Sequence, residues 1–143
     1  MADQGWIAVD LDGTLAHYEG FISAEHIGDP VPLMLARVKQ WLAEGKDVRI
    51  FTARVDGGET ALSMGIEEGN HFKDVIRVRQ IIEAWCLKHI GQILPITNVK
   101  DFGMITLYDD RCVQVELNTG KLVGATEDIE ISVEDLKRYD LPI

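Results

Sequence analysis

Cysteine and long apolar runs are scarce in this sequence. Only two cysteines, Cys86 and Cys112, occur among 143 residues. They form no CxxC pair, so the spacing favours neither a zinc ribbon nor a redox dithiol, and we expect two reduced thiols. No apolar run approaches the roughly 18 residues of a membrane span. The first residues also lack the basic start and apolar stretch of a signal peptide, so we expect a cytoplasmic protein without a membrane partner.

Basic residues are also few. The 14 lysines and arginines are outnumbered by 24 aspartates and glutamates, which gives a formal net charge of −10. Such a charge opposes stable binding to duplex nucleic acid, which relies on basic surface. It leaves open a phosphorylated small molecule, a nucleotide or a nucleic-acid end, because a local cation can dominate the field at a site. The absence of a GxxxxGK[ST] motif disfavours a P-loop kinase.

Strand-like and helix-like segments alternate along the chain. This alternation predicts βαβ units and an α/β fold, a three-layer Rossmann-like domain with a mainly parallel sheet. We expect a single domain with its core over about residues 5–123 and an acidic tail over about 124–143. The predicted elements are strands at 6–10, 47–51, 93–99 and 104–108, helices beginning at Pro32 and near Val75, a hairpin turn at 118–120 and a last helix after Ser132. Residues 54–70 show little periodicity and predict a long loop, a feature that is usually either functional or disordered in compact domains.

The most informative segment is Asp10-Leu11-Asp12-Gly13-Thr14, which follows an apolar run at 6–9. The pattern places two carboxylates at the end of a strand, where parallel α/β sheets hold their sites. Carboxylates this close repel each other unless a cation or a proton lies between them. The segment therefore predicts a charged functional site.

Polar residues follow three further predicted strands and would converge on the same crevice. They are Thr52, Lys100 and the pair Asp109-Asp110. Carboxylates can hold Mg²⁺ together with water and phosphate, while a hydroxyl and an ammonium can bind phosphoryl oxygens. One carboxylate can attack phosphorus, and a second can protonate the leaving oxygen. This set of residue types favours phosphoryl transfer.

The same residues resemble the motifs of the haloacid-dehalogenase-like (HAD) phosphohydrolase superfamily. Its DxDGT motif is similar to residues 10–14, and its second motif, an apolar run ending in Thr, to Ile50-Phe51-Thr52. The resemblance covers about residues 5–117 and implies that Asp10 is the nucleophile and a Mg²⁺ ligand. Asp12 would be the general acid and base, with its backbone carbonyl on the metal. The remaining implied roles are phosphoryl binding by Thr52 and Lys100 and metal binding by Asp109, with Asp110 as a second candidate.

A narrower resemblance is to the 3′-phosphatase domain of phage-type polynucleotide kinases. The similar stretches are Phe51-Thr52-Ala53-Arg54 and residues 107–115, which contain Asp109-Asp110-Arg111. Arg54 becomes a candidate for phosphate binding, although both arginines could instead pair with the many acids. The chain has little room for the cap domain that many HAD members insert, so we expect a capless protein with an open site.

From these features we expect a Mg²⁺-dependent phosphomonoester hydrolase that acts through an aspartyl-phosphate. A phosphotransferase of the same fold and a non-catalytic phosphate-binding or regulatory protein remain alternatives. Lys100 could also be a solvated surface residue, and His17, His26 and His71 lie in predicted loops near the expected cleft, where each could touch substrate. The substrate could be a nucleotide, a 3′-phosphorylated oligonucleotide, a sugar phosphate or a phosphoprotein, and the sequence does not give the oligomeric state.

Overall fold

The structure, a computed structural model, describes residues 5–56, 71–124 and 132–138. Its strands are β1 (Trp6–Asp10), β2 (Asp47–Phe51), β3 (Ile96–Thr97) and β4 (Met104–Tyr108). Its α-helices are α1 (Pro32–Ala43), α2 (His71–His89) and α3 (Val133–Arg138), and a 3₁₀ turn spans Ala53–Val55. The predicted loop at 54–70 lies outside the described residues from position 57 onward.

The strands form one sheet in the order β3-β2-β1-β4, and every neighbouring pair is parallel. The predicted α/β class with a parallel sheet is confirmed, and the arrangement is consistent with a Rossmann-like fold. In this sheet Asp10 is the register partner of Phe51 on β2, and Val9 is the partner of Tyr108 on β4. The residues that follow β2 and β4 therefore lie beside the end of β1.

Strand β1 lies between two other strands, and its residues Trp6 to Val9 are all buried. A strand covered on both faces has a continuous apolar run rather than an alternating one, as in this segment. On α1, Met34 and Val38 are buried one turn apart, and proline occupies the first turn of the helix. The core thus fixes the strand whose end carries Asp10.

Helix α2 buries residues that recur at helical spacing: Val78, Ile82, Trp85 and Cys86. It begins at His71, four residues before the predicted apolar face. Both long helices end before a glycine with a left-handed backbone, Gly45 at φ 79° and Gly91 at φ 98°. Glycine is common just after a helix because it adopts this left-handed backbone without a steric penalty.

The predicted third strand at 93–99 was wrong in length. Only Ile96–Thr97 pairs with β2. Pro95 has no N–H to donate to a sheet, and its carbonyl is used by Ile50 N. The Thr97 hydroxyl accepts a hydrogen bond from Val99 N, which turns the chain away from the sheet.

Contacts divide the chain into two compact units, Met1–Asp110 and Arg111–Ile143. In the second unit the predicted hairpin turn is present, with Asn118 and Gly120 at positive φ, but its arms meet only at the bridge between Val115 and Leu122. The single domain and the acidic tail remain predictions. Within the described residues, no helix combines the length and apolarity needed to cross a membrane.

Candidate metal and phosphate site

Three carboxylates meet at the carboxyl ends of β1 and β4. Asp10, Asp109 and Asp110 each offer one oxygen, and these oxygens lie within 4.8 Å of one another. The strand register explains the meeting, because Val9 is paired with Tyr108 and the next residues on both strands are the acids. The structure therefore brings together three of the four residues predicted to bind metal.

Thr14 links two members of this acidic cluster. Its hydroxyl lies 3.2 Å from Asp10 Oδ2 and 3.0 Å from Asp110 Oδ1, and it accepts a hydrogen bond from Asp110 N at 3.0 Å. Because a hydroxyl carries one proton, it can donate to only one carboxylate at a time. Thr14 therefore holds the two carboxylates at a common point, a role that was not predicted from the sequence, where Thr14 was noted only as part of the motif.

Gly13 allows the turn after β1 to pass close to Asp110. Its φ is 91°, in the left-handed region. A Cβ at this position would also lie 2.8–2.9 Å from the atoms of the Asp110 carboxylate. Glycine is needed here for both backbone conformation and space.

The protein environment disfavours a negative charge on Asp10. Burial, the charge of Asp109 and a hydrogen bond that protonated Asp10 donates to the side chain of Asp110 together raise the pKa of Asp10 to about 7, while the Thr14 hydroxyl opposes the rise. A divalent cation among the three oxygens would favour the ionised form. In proteins Mg²⁺ binds to hard oxygen ligands such as carboxylates. The three oxygens of this cluster therefore fit that ion.

The side chain of Asp12 points to a different partner, Arg54. Nε of Arg54 donates to Asp12 Oδ2 at 2.6 Å, and Nη2 donates to Asp12 Oδ1 at 2.9 Å. Only 7% of the Arg54 side chain and 20% of the Asp12 side chain are exposed. The acidic cluster found among the described residues does not include the Asp12 carboxylate. The predicted metal contact of Asp12, through its backbone carbonyl, remains a prediction.

Arg54 also holds the loop that follows the motif. Its Nη1 donates to the carbonyl of Ala24 at 3.2 Å, and its Nη2 donates to the carbonyl of His26 at 3.0 Å. The predicted role of this arginine was phosphate binding, whereas the contacts described here join it to Asp12 and to two loop carbonyls. The guanidinium therefore ties the carboxylate to residues 17–29, which we call the 17–29 loop.

Helix α2 anchors the same loop at two further points. Trp85 Nε1 donates to the carbonyl of Gly28 at 2.9 Å, and Arg77 pairs with Glu25 at 2.6 Å. At the base of the loop, His17 N donates to the carbonyl of Asp29 at 2.8 Å. These contacts hold the loop against the body of the unit beside Asp12.

Thr52 lies where predicted, immediately after β2 and beside the end of β1. It is 3% exposed, and its hydroxyl accepts a hydrogen bond from Arg54 N at 3.2 Å. A hydroxyl can accept and donate at once, so Thr52 can also donate to a phosphoryl oxygen.

Lys100 lies in the segment that connects β3 to β4. It follows β3 by three residues and is exposed. Its neighbour Asp101 accepts a hydrogen bond from Trp6 Nε1 at 2.8 Å, at the opposite end of β1 from Asp10. The contacts described here thus bring together Asp10, Asp109 and Asp110, with Thr52 adjacent, but do not link Lys100 to them.

The chain matches no known family model and no curated protein. One solved structure resembles it, that of a conserved protein coded by a locus from Bacteroides thetaiotaomicron. The two are 18% identical over 76% of this chain and 77% of the other, with a TM-score of 0.44. That likeness is too distant to assign a family or an activity.

Proposed function

We propose that this protein is a Mg²⁺-dependent phosphomonoester hydrolase that acts through an aspartyl-phosphate, as a capless member of the HAD-like superfamily. The observation that carries the proposal is the meeting of Asp10, Asp109 and Asp110 oxygens within 4.8 Å at the ends of two parallel strands. A second support is the DxDGT sequence that supplies Asp10 and Asp12. The proposal assigns the nucleophile, the cation site and the separate acid to residues of one unit, Met1–Asp110.

The first chemical step follows from the placement of the two motif carboxylates. An oxygen of Asp10 attacks phosphorus, and the bond from phosphorus to the leaving oxygen breaks. Bound Mg²⁺ would neutralise charge on the phosphoryl oxygens and on the three acids. Thr52 donates a hydrogen bond to the phosphoryl group. Asp12 in its protonated form gives a proton to the leaving oxygen, so an alcohol departs and Asp12 becomes a carboxylate.

In the second step Asp12 acts as the base. It removes a proton from water, the water oxygen attacks phosphorus, and the bond to Asp10 breaks. Inorganic phosphate leaves, and both carboxyl groups return to their starting states. The paired hydrogen bonds from Arg54 suit the carboxylate form of Asp12, which is the form that acts as base in this step, and they orient it towards the water.

Phosphate release in the presence of Mg²⁺ tests the proposal. We expect the wild-type protein to release phosphate from p-nitrophenyl phosphate and Asp10→Asn to release none. Asp47→Asn is a matched control, because Asp47 lies at the start of β2, at the opposite end of the sheet. Activity retained by Asp10→Asn would contradict the mechanism, and transfer of the phosphoryl group to an added alcohol instead of water would assign the site to a phosphotransferase.

A further inference from the structure

A groove of about 390 Å³ lies between helix α2 and strand β3, at the edge of the sheet. Helix α2 contributes Arg79 and Glu83 to one wall, and residues 93–96, which lead into β3, form the other. Strand β2 separates β3 from β1, whose end carries Asp10. We call this space the α2–β3 groove, and none of its residues has a role in the proposed hydrolysis.

The wall formed by residues 93–96 is apolar. Leu94 is 2% exposed and belongs to the hydrophobic core, whereas Ile93 is 47% exposed and Ile96 is partly buried. A cavity of about 150 Å³ holds benzene, so a groove of about 390 Å³ has room for a small molecule with a branched aliphatic or aromatic side chain. Concave surfaces with an apolar lining and a few polar groups are typical of small-molecule sites.

Arg79 blocks the free edge of β3 against the addition of another strand. The carbonyls of Pro95 and Thr97 accept hydrogen bonds at 2.8 and 2.9 Å from backbone N–H groups in and just after β2. The carbonyl of Ile96 between them therefore faces away from β2, and Arg79 Nη1 donates to it at 2.7 Å. Because this carbonyl is already used, an extended peptide cannot pair with β3 there.

Arg79 and Glu83 present opposite charges at the groove without pairing with each other. Their Cβ atoms lie roughly 6 Å apart, as expected for residues four apart on a helix, and the acid follows the base, which is the less favourable order for an ion pair. In the part of the chain that the structure describes, the Arg79 guanidinium has no carboxylate partner and the Glu83 carboxylate accepts no hydrogen bond. Several guanidinium N–H groups and both carboxylate oxygens are thus available to a ligand.

A molecule that carries a carboxylate and an ammonium group on neighbouring atoms complements this pair of charges. Its carboxylate can accept hydrogen bonds from Arg79 while its ammonium group donates to Glu83. An apolar group on the same carbon atom then reaches the wall formed by residues 93–96. Such a zwitterion has no net charge, so the charge of −10 on the chain does not repel it.

From this geometry we infer that the α2–β3 groove binds a free α-amino acid with an apolar side chain. Arg79 holds the carboxylate, Glu83 holds the ammonium group, and Ile93 and Leu94 contact the side chain. The inference is independent of the proposed hydrolase function, because the groove contains none of the residues assigned to that reaction.

Calorimetric titration tests the inference with leucine, valine and phenylalanine. We expect saturable binding of one molecule per chain for at least one of the three. For the best of them, the N-acetylated form, the amide form and glycine should each bind at least about tenfold more weakly. The first two leave Glu83 or Arg79 without its partner, and glycine lacks the apolar group.

A charge-removing substitution locates the site. Glu83→Gln keeps the size of the side chain and should weaken amino-acid binding about tenfold, but leave binding of the N-acetylated form unchanged, because that form has no ammonium group. Glu44→Gln makes the same change in charge just after α1 and should bind the amino acid as the wild type does. Arg79→Lys should weaken binding of the amino acid more than binding of its amide.

Several outcomes would overturn the inference: no saturable binding of any of the three amino acids, equal binding of the free and N-acetylated forms, or equal affinities of Glu83→Gln and Glu44→Gln. Asp10→Asn should bind the amino acid as the wild type does, because β2 lies between the groove and β1. Loss of phosphate release with amino-acid binding retained would therefore contradict the proposed function alone, and the reverse result would contradict this inference alone.

Discussion

Arg54 donates two hydrogen bonds to Asp12, from Nε to Oδ2 at 2.6 Å and from Nη2 to Oδ1 at 2.9 Å. The same guanidinium donates to the carbonyls of Ala24 and His26. One side chain therefore connects the proposed acid and base to the loop that borders it. Arg54 therefore contributes both to the orientation of Asp12 and to the position of the 17–29 loop, which Trp85 and Arg77 also hold.

Replacing Arg54 by Lys keeps the positive charge and removes the planar pair of hydrogen bonds. We expect kcat for a phosphomonoester to fall about 100-fold, because a misplaced acid and base loses its orientation. Arg49→Lys is the control, since Arg49 holds Asp47 through the same two nitrogens at 3.1 and 2.8 Å on the exposed surface. Equal kinetics of the two variants would show that Arg54 does not orient Asp12.

The same pair of arginines predicts a difference in stability. Arg54→Ala leaves Asp12 partly buried without its partner and should lower the free energy of unfolding by about 3 kcal/mol. Arg49→Ala breaks an exposed pair and should cost less than about 1 kcal/mol. Urea denaturation measures both values, and a similar loss in the two variants would contradict the buried role of Arg54.

Thr14→Val removes the hydroxyl that joins Asp10 and Asp110 while keeping the side-chain shape. We expect Mg²⁺ affinity to fall about tenfold, because residues that orient metal ligands have effects of this size. Calorimetric titration with Mg²⁺ checks the change, and Thr14→Ser should bind nearly as the wild type does. Unchanged affinity in the valine variant would remove Thr14 from this role.

The raised pKa of Asp10 predicts how metal-free stability depends on pH. The folded protein holds this proton up to about pH 7, whereas an unfolded chain releases it near 3.8, so stability falls as pH rises between these values. Asp10→Asn carries no such proton and should melt at a higher temperature than the wild type at about pH 8, but not at about pH 4. Added Mg²⁺ should reduce the difference at the higher pH. If the wild type melts at a higher temperature than Asp10→Asn at every pH, the raised pKa of Asp10 is contradicted.

Gly13→Ala tests the close approach of the motif turn to Asp110. Left-handed backbone alone costs alanine about 1–2 kcal/mol, and the clash with the carboxylate adds to it. Gly45→Ala is the control, because Gly45 has φ 79° and nothing within 4 Å of an added Cβ. Thermal melts should show the larger loss for Gly13→Ala, and equal losses would mean that the space beside Asp110 is not limiting.

The sequence predicted the sheet and the acidic cluster because both follow from local patterns. The apolar run of β1 and the polar residues after each strand required only that parallel strands share one edge. The role of Arg54 was not predicted in the same way. Its pairing with Asp12, 42 residues away, depends on how the 3₁₀ turn and the 17–29 loop are folded.

Lys100 shows how a small error in strand length changes a predicted site. The apolar residues at 93–99 suggested a strand that would present this lysine beside Asp10. Pro95 and the turn at Thr97 shorten β3 to two residues, and the chain then runs back towards Trp6. Periodicity alone does not report such a turn, because it is set by one hydroxyl and one missing N–H.

The aspartyl-phosphate itself provides the most direct test of the central claim. Wild-type protein is mixed with a phosphomonoester and Mg²⁺, quenched in acid during turnover, digested and analysed by mass spectrometry. The account predicts one phosphoryl group on the peptide that contains Asp10, and none in Asp10→Asn. Phosphate release in which no residue becomes phosphorylated, or phosphorylation that persists in Asp10→Asn, would contradict it.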